Sequence, residues 1–152
     1  MASSQTTILE QLAAARTLLF RVAGSVYGCD IDAVREIIPY RRATRLPGAP
    51  PYVQGLINLR GTIITVLDLG VRLDPTRSAV RDTGGSIILA EQGTRVVGVA
   101  VDEVLDVQAI TEEPLDAGNG DTRGGLVRGL GHLEDDVVVL IDIQTLVTQV
   151  LL

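Results

Sequence analysis

At 152 residues the chain fits one domain of ordinary size, or two small lobes sharing a core. A formal net charge of -6 argues against a general nucleic-acid binder, because neutralising phosphate needs a basic surface. Hydrophobic residues make up 46% but aromatic ones only 3%, so Val, Ile and Leu must fill the interior, which favours strands over helices.

Residues 1–15 are polar and then Ala-rich, and read as a flexible or helical tail. Leu12 and Ala13 to Ala15 favour helix, yet nothing caps the far end. No basic segment followed by an apolar one opens the chain, so no signal peptide is expected. The longest apolar run, Val137 to Ile141, is too short for a bilayer span and is followed by Asp142. The expectation is a soluble, cytoplasmic protein.

From about residue 16 the punctuation is that of an all-β protein. Gly24-Ser25, Arg60-Gly61, Gln92-Gly93 and Glu134 to Asp136 each separate two apolar runs. Cys29, the single cysteine, alternates with Tyr27 and Ile31 on one strand face and reads as a small buried hydrophobe. With no second cysteine there is no internal disulfide framework. Asp30 and Asp32 flank Ile31 and read as a solvated strand face; two carboxylates without a glycine-turned loop make a poor calcium site.

The stretch from Thr44 to Leu69 carries the most information. Pro47, Pro50 and Pro51 fix their own φ and push the residues before them toward extended backbone, so the chain crosses a gap in one stiff pass. Leu56 to Leu59 and Thr62 to Leu69 then read as two strands joined at Arg60-Gly61. That turn would hold a guanidinium outward at the tip of a rigid element. The charge serves no evident folding need there, so Arg60 is assigned to partner contact. Arg35, Arg41, Arg42 and Arg45 form a basic cluster that is either a solvated loop face or an interaction surface. All 13 basic residues are arginine; this suits bidentate contacts, although biased base composition is the simpler explanation.

Arg72 to Gly85 reads as a break, and Thr111 to Gly125 as a mobile loop containing Pro114. Ile143, Leu146, Val147 and Val150 stand at helical spacing, giving a closing helix over about 143–152, with a last strand as the alternative. The chain also repeats itself. Gly28 and Gly98, Gly55 and Gly125, and Gly61 and Gly131 each lie 70 residues apart, and neighbouring apolar positions align with them. After a small insertion, Leu67-Asp68 is echoed by Ile141-Asp142, which suggests a structural cap on the turn that follows each. The reading is mainly β: two tandem five-stranded barrels of SH3/OB-like type, about 16–78 and about 79–146, formed by duplication.

Catalytic machinery is not evident. His132 is the only histidine and reads as a solvated loop residue, and no cysteine or histidine pair is spaced to hold zinc. Gly124 to Gly131 is glycine-rich but lacks the Lys-Ser/Thr of a phosphate loop. No enzyme activity, cofactor or metal is expected.

Several motifs together resemble the CheW-like family of bacterial chemotaxis coupling proteins. They are Val34-Arg35-Glu36-Ile37, Leu46-Pro47 with Pro50 and Tyr52, Gly55, Asn58-Leu59-Arg60-Gly61, and Val66-Leu67-Asp68-Leu69. Val99 to Asp102 with Val104, and Leu140-Ile141-Asp142, extend the resemblance from about Leu18 to Leu146. Thr65 stands where the family often has proline, at a strand entry. The resemblance implies two side-by-side β-barrels with strands exchanged between them. It further implies a scaffold joining the cytoplasmic tip of chemoreceptors to the regulatory domain of a CheA-type histidine kinase. Other CheW-like domains in rings and an association with membrane receptor arrays are implied as well. By position it places Val34, Glu36, Asn58, Arg60 and Gly61 on or near the receptor and kinase surfaces. The alternative from another class is a small-ligand-binding β-barrel, against which the scarcity of aromatics and of convergent polar groups counts.

Overall fold

The computed structural model describes residues 16–76, 84–114 and 125–150. The tail read as flexible or helical (1–15), half of the break and most of the second loop lie outside the described residues. The elements run β1 (Arg16–Val22), β2 (Ser25–Asp30), β3 (Val34–Pro39), β4 (Val53–Leu59), β5 (Thr62–Asp68) and a short helix α1 (Leu69–Leu73). Then follow β6 (Ser86–Gln92), β7 (Arg95–Val101), β8 (Glu103–Ala109), β9 (Thr111–Pro114), β10 (Val127–Leu133), β11 (Asp136–Ile141) and α2 (Ile143–Val150). The expected loop from Thr111 therefore begins as a strand, held by pairing of Thr111 to Pro114 with His132 to Gly129. The closing segment is a helix.

Two sheets form, in the orders β8-β1-β2-β11-β10-β9 and β3-β6-β7-β5-β4. Each draws strands from both halves of the chain, so the hydrogen-bonded sheets do not follow a division near residue 78. The exchanged units are the hairpins β1–β2 and β6–β7. β2 lies parallel to β11, and β7 parallel to β5. Parallel neighbours cannot be joined by a hairpin, so each of these pairings must link segments distant in sequence. That is how the lobes become one unit.

The duplication is visible in the register. β3 slips against β6 between Val34 and Glu36, and β1 slips against β8 between Leu19 and Phe20, opposite Asp106 and Val104. β4 slips between Val53 and Gly55, and β10 between Val127 and Gly129. The first pair of bulges is offset by 70 residues and the second by 74, so the extra residues enter before β10. The glycine spacing instead put them between Gly131 and Ile141. Gly55 therefore corresponds to Gly129 rather than Gly125, and Arg60-Gly61 corresponds to Glu134-Asp135 rather than to Gly131 and its neighbour.

Three clusters make the core. Ile38, Ile57, Leu59, Ile64, Val66, Ile87, Leu89 and Ala100 fill the five-stranded barrel. A smaller set, Leu19, Ile110, Val138 and Leu140, fills the six-stranded one. Between them Leu18, Phe20, Leu67, Ile88, Ala90, Val97, Val99 and Ile141 meet Ile143, Leu146 and Val147 of α2. β6 shows the logic: Ile87 and Leu89 face the barrel, Ile88 and Ala90 face the shared core, and all four are buried. A strand buried on both faces must read as a continuous apolar run. Each of the buried Ile and Leu side chains contributes about 1.5–3 kcal/mol of transfer free energy. α2 packs on β6 and β7, so the helix of the second half covers the barrel of the first.

Candidate protein-interaction site at the β4–β5 hairpin

Arg60 and Gly61 form the two-residue turn between Leu59 and Thr62, with φ of 50° and 88°. Positive φ at both central residues is the type I′ requirement, which matches the twist of the flanking strands. Space is no constraint at Gly61, since a Cβ there would meet nothing within 4 Å; its backbone conformation is. Asn58 holds the turn from within, its Oδ1 accepting from the Gly61 N–H at 2.8 Å. Behind the tip, Ile57, Leu59 and Ile64 are buried in the barrel.

The Arg60 guanidinium does not stand alone at the tip, as the sequence reading had it. It crosses to β3 and grips Glu36 with both nitrogens, Nη1 to Oε2 at 3.1 Å and Nη2 to Oε1 at 2.5 Å. β3 and β4 are the terminal strands of the five-stranded order, so this bidentate pair spans the barrel's seam. Arg41 supports it, donating from Nη1 to the Asn58 carbonyl at 3.1 Å. Farther along, Thr44 and Leu56 exchange backbone hydrogen bonds of 2.7 and 2.8 Å. The bulge between Val34 and Glu36 shifts the register of β3 just before Glu36, which pairs with Leu89. The Arg60 hydrogen bond, with the charges of Arg60 and Arg35, holds the Glu36 carboxyl below the ordinary glutamate value. Reciprocally, Glu36 raises the Arg60 guanidinium above its own.

All five residues singled out from sequence thus sit at one end of one barrel. Glu36, Asn58, Arg60 and Gly61 are joined by hydrogen bonds; Val34 is half-buried against the shared core and sets the strand. Around Glu36 and Arg60, a concavity of about 240 Å³ with Leu59, Ile64, Leu89 and Val96 at its base opens at the barrel mouth. The sequence reading missed Ile63, which is 62% exposed beside the tip, and Ile37 on β3. Their signal was available: each is an apolar residue at an outward strand position next to an inward one.

Other expectations sort as follows. Cys29 is fully buried and its thiol is pushed up to about 12, chiefly by burial. Ile31 to Ala33 is a 3-10 turn rather than a strand, with Asp30 capping it by accepting from the Asp32 N–H. Asp68 caps α1, accepting from Val71 N–H at 3.2 Å, and Asp142 precedes α2 with its carbonyl accepting from Thr145 N–H. His132 lies on β10, not in a loop, 2.9 Å from Glu113. In the basic cluster Arg35 reaches Glu91 at 4.0 Å, and Arg42 and Arg45 are exposed. Among the described residues no three His, Cys, Asp or Glu side chains are grouped to hold a metal, and no helix is long and apolar enough to cross a membrane.

Comparison with known proteins points to one family. Residues 16–151 match the model of the CheW-like domain. The chain is 34% identical over 134 residues to the chemotaxis protein CheW of Klebsiella aerogenes, covering 86% of this chain and 80% of that one. It is 30% identical to the CheW of Thermotoga maritima over 149 residues, 95% of each. Among solved structures it resembles the scaffolding protein TtCheW of Thermoanaerobacter tengcongensis, with a TM-score of 0.70 and 30% identity, covering 84% of this chain and 88% of that one. The fold is thus shared with a CheW scaffolding protein, and the chain belongs to the CheW-like family, as an adaptor of the kind that couples chemoreceptors to CheA.

Proposed function

We propose that the chain is a cytoplasmic adaptor without turnover of its own, which seats a chemoreceptor tip and the regulatory domain of a CheA-type histidine kinase on separate faces. Val34, Glu36, Asn58, Arg60 and Gly61 form part of the contact surface, and further CheW-like barrels join it in rings beneath membrane receptor arrays. The observation that carries this reading is the Glu36–Arg60 pair: a bidentate contact at the mouth of a rigid barrel, ringed by exposed Ile37 and Ile63. A pre-ordered arginine beside apolar surface is the composition of a protein-contact hot spot. Holding two partners at once raises their effective concentration without new chemistry.

The test is receptor-dependent autophosphorylation of the kinase in reconstituted complexes, with and without the protein. Wild type is expected to change kinase output, and Arg60→Ala to weaken that effect while keeping its circular dichroism and melting within a few degrees of wild type. Kinase output indifferent to the protein with every receptor tip tried would overturn the reading. A large fall in the Arg60→Ala melting temperature would instead make Arg60 a structural residue.

A further inference from the structure

A second cavity, of about 350 Å³, shares no residue with the one at the barrel mouth and is lined by Pro51, Tyr52, Val71, Arg72, Pro75 and Gln149. The proline-rich segment before β4, α1 and α2 each give a wall, so both halves of the chain contribute. Hydrogen bonds fix those walls. Val53 N–H donates to the Pro50 carbonyl at 2.9 Å, which folds Pro51 and Tyr52 into a turn, and the Tyr52 carbonyl accepts from Asp68 N–H at 2.8 Å. Asp74 N–H closes α1 on the Gly70 carbonyl at 2.8 Å. Asp74 Oδ1 then accepts from Thr76 N–H at 3.0 Å and holds Pro75 between them. Arg72 joins the walls: its guanidinium lies 5.7 Å from the centre of the Tyr52 ring, and Nη2 donates to Gln149 Oε1 at 2.8 Å. The cavity is thus pre-formed, with a volume at the lower end of small-molecule sites.

The duplication shows what this place becomes where packing alone decides. Asp142 N–H donates to the Leu126 carbonyl at 2.8 Å, just as Asp68 N–H does to that of Tyr52. With Asp68 matched to Asp142, Tyr52 corresponds to Leu126 and Arg72 to Leu146. Both leucines are fully buried in the shared core. In the first half, a phenol ring and a guanidinium stand where the second half has two core leucines. Open space remains beside them, and among the described residues no acidic side chain lines it. Such a replacement costs the fold apolar contacts, and a bound molecule restores them.

We propose that this cavity binds a small organic acid with a flat apolar body, of the arylacetic acid kind. The ring lies against Pro51, Tyr52, Val71 and Pro75, and the carboxylate meets the Arg72 guanidinium. Burial of the ring supplies affinity, and the charge-assisted contact fixes orientation and selects an anion. The bound acid touches α1 and α2 at once and so ties the two halves of the chain together. None of these residues belongs to the surface proposed for receptor and kinase, so the site stands independently of the adaptor reading.

The probe is phenylacetate, titrated into the isotope-labelled full chain and followed by NMR, with phenylacetamide and acetate as controls. Phenylacetate is expected to bind with a Kd of about 1 mM or tighter and to shift the backbone amides of Tyr52, Val71 and Gln149 saturably. Phenylacetamide lacks the charge and acetate the ring, and each should bind at least about tenfold more weakly. Arg72→Gln should lower the acid to the level of the amide. Because Arg72 also holds Gln149, a second variant is needed: Val71→Phe fills the cavity, keeps Arg72, and should abolish binding with circular dichroism unchanged. Absence of saturable shifts overturns the proposal. So do equal affinities for acid and amide, shifts centred on Leu59 and Val96 at the barrel mouth, or binding unchanged in both variants. Kinase output does not enter the measurement, so failure here leaves the adaptor reading standing.

Discussion

The β4–β5 and β10–β11 hairpins descend from one duplicated unit and end in turns that solve the same problem differently. In the first, both turn residues have positive φ, and a glycine takes the second position. In the second, Glu134 has φ of 52° while Asp135 does not adopt positive φ, and no glycine is needed there. The first tip carries its charge back across the barrel seam to Glu36; the second replaces both partners by acids, at 134 and 106. The shared architecture thus sets where a tip stands, and a few side chains set what it meets. Strand pairing and the three apolar clusters are common to both lobes, whereas the charge pattern is free to invert because nothing in the core depends on it.

The sharpest way to break the first barrel, and to test its seam, is Gly55→Ala. Gly55 has φ of 148° and sits on the bulge between Val53 and Leu56. A Cβ there would collide with the backbone carbonyl of Thr44, the residue whose hydrogen bonds to Leu56 close the seam. Backbone cannot swing aside as a flexible side chain does. A loss of about 3 kcal/mol or more is expected in chemical denaturation, from clash and strained φ together. A loss below about 1 kcal/mol would mean that the Thr44–Leu56 bridge adjusts freely and that the seam is soft.

Next in size comes the contrast between the two turns. Gly61→Val forces a β-branched residue into positive φ and is expected to cost about 1–3 kcal/mol, seen as a fall of several degrees in Tm. Asp135→Val makes no such demand and should leave Tm within a few degrees of wild type. Equal losses in the two variants would erase the distinction drawn between the turns.

Much of this was legible in the sequence. An apolar run, Arg-Gly, and a second apolar run can hardly be other than a hairpin, and Val34, Glu36, Asn58, Arg60 and Gly61 were singled out together. What sequence could not supply is the partner of Arg60. Glu36 lies 24 residues away, and the two meet because the first and last strands of a five-stranded order face each other across a seam. Arg35, next to Glu36 in the chain, reaches Glu91 instead. The repeat was found but misregistered, because glycines at 125 and 131 happened to fall 70 residues after Gly55 and Gly61. Only hydrogen-bond register shows that the bulge, not the glycine spacing, marks equivalence. The same limit explains Asp32, which looks like a strand residue by alternation and lies in the 3-10 turn that Asp30, the last residue of β2, caps.

The smallest effect concerns protonation. Glu36 has its carboxyl held below the ordinary glutamate value, first by the Arg60 hydrogen bond and then by neighbouring positive charge. A lowered folded-state pKa means that the pair's contribution is fully present above the unfolded value and is lost as pH falls through the folded one. The seam contact should therefore persist at neutral pH and through mildly acidic pH, and open only in more strongly acid solution. Both side chains are solvent-accessible, so the change in global stability will be slight, and the informative observable is the residue itself. Following the Glu36 side-chain carboxyl by NMR, the midpoint is expected below the glutamate norm in wild type and shifted upward in Arg60→Ala. An unchanged midpoint in that variant would mean that Arg60 does not hold Glu36 in solution. The first tip would then differ from the second in the sign of its charge but not in being tied to its own barrel.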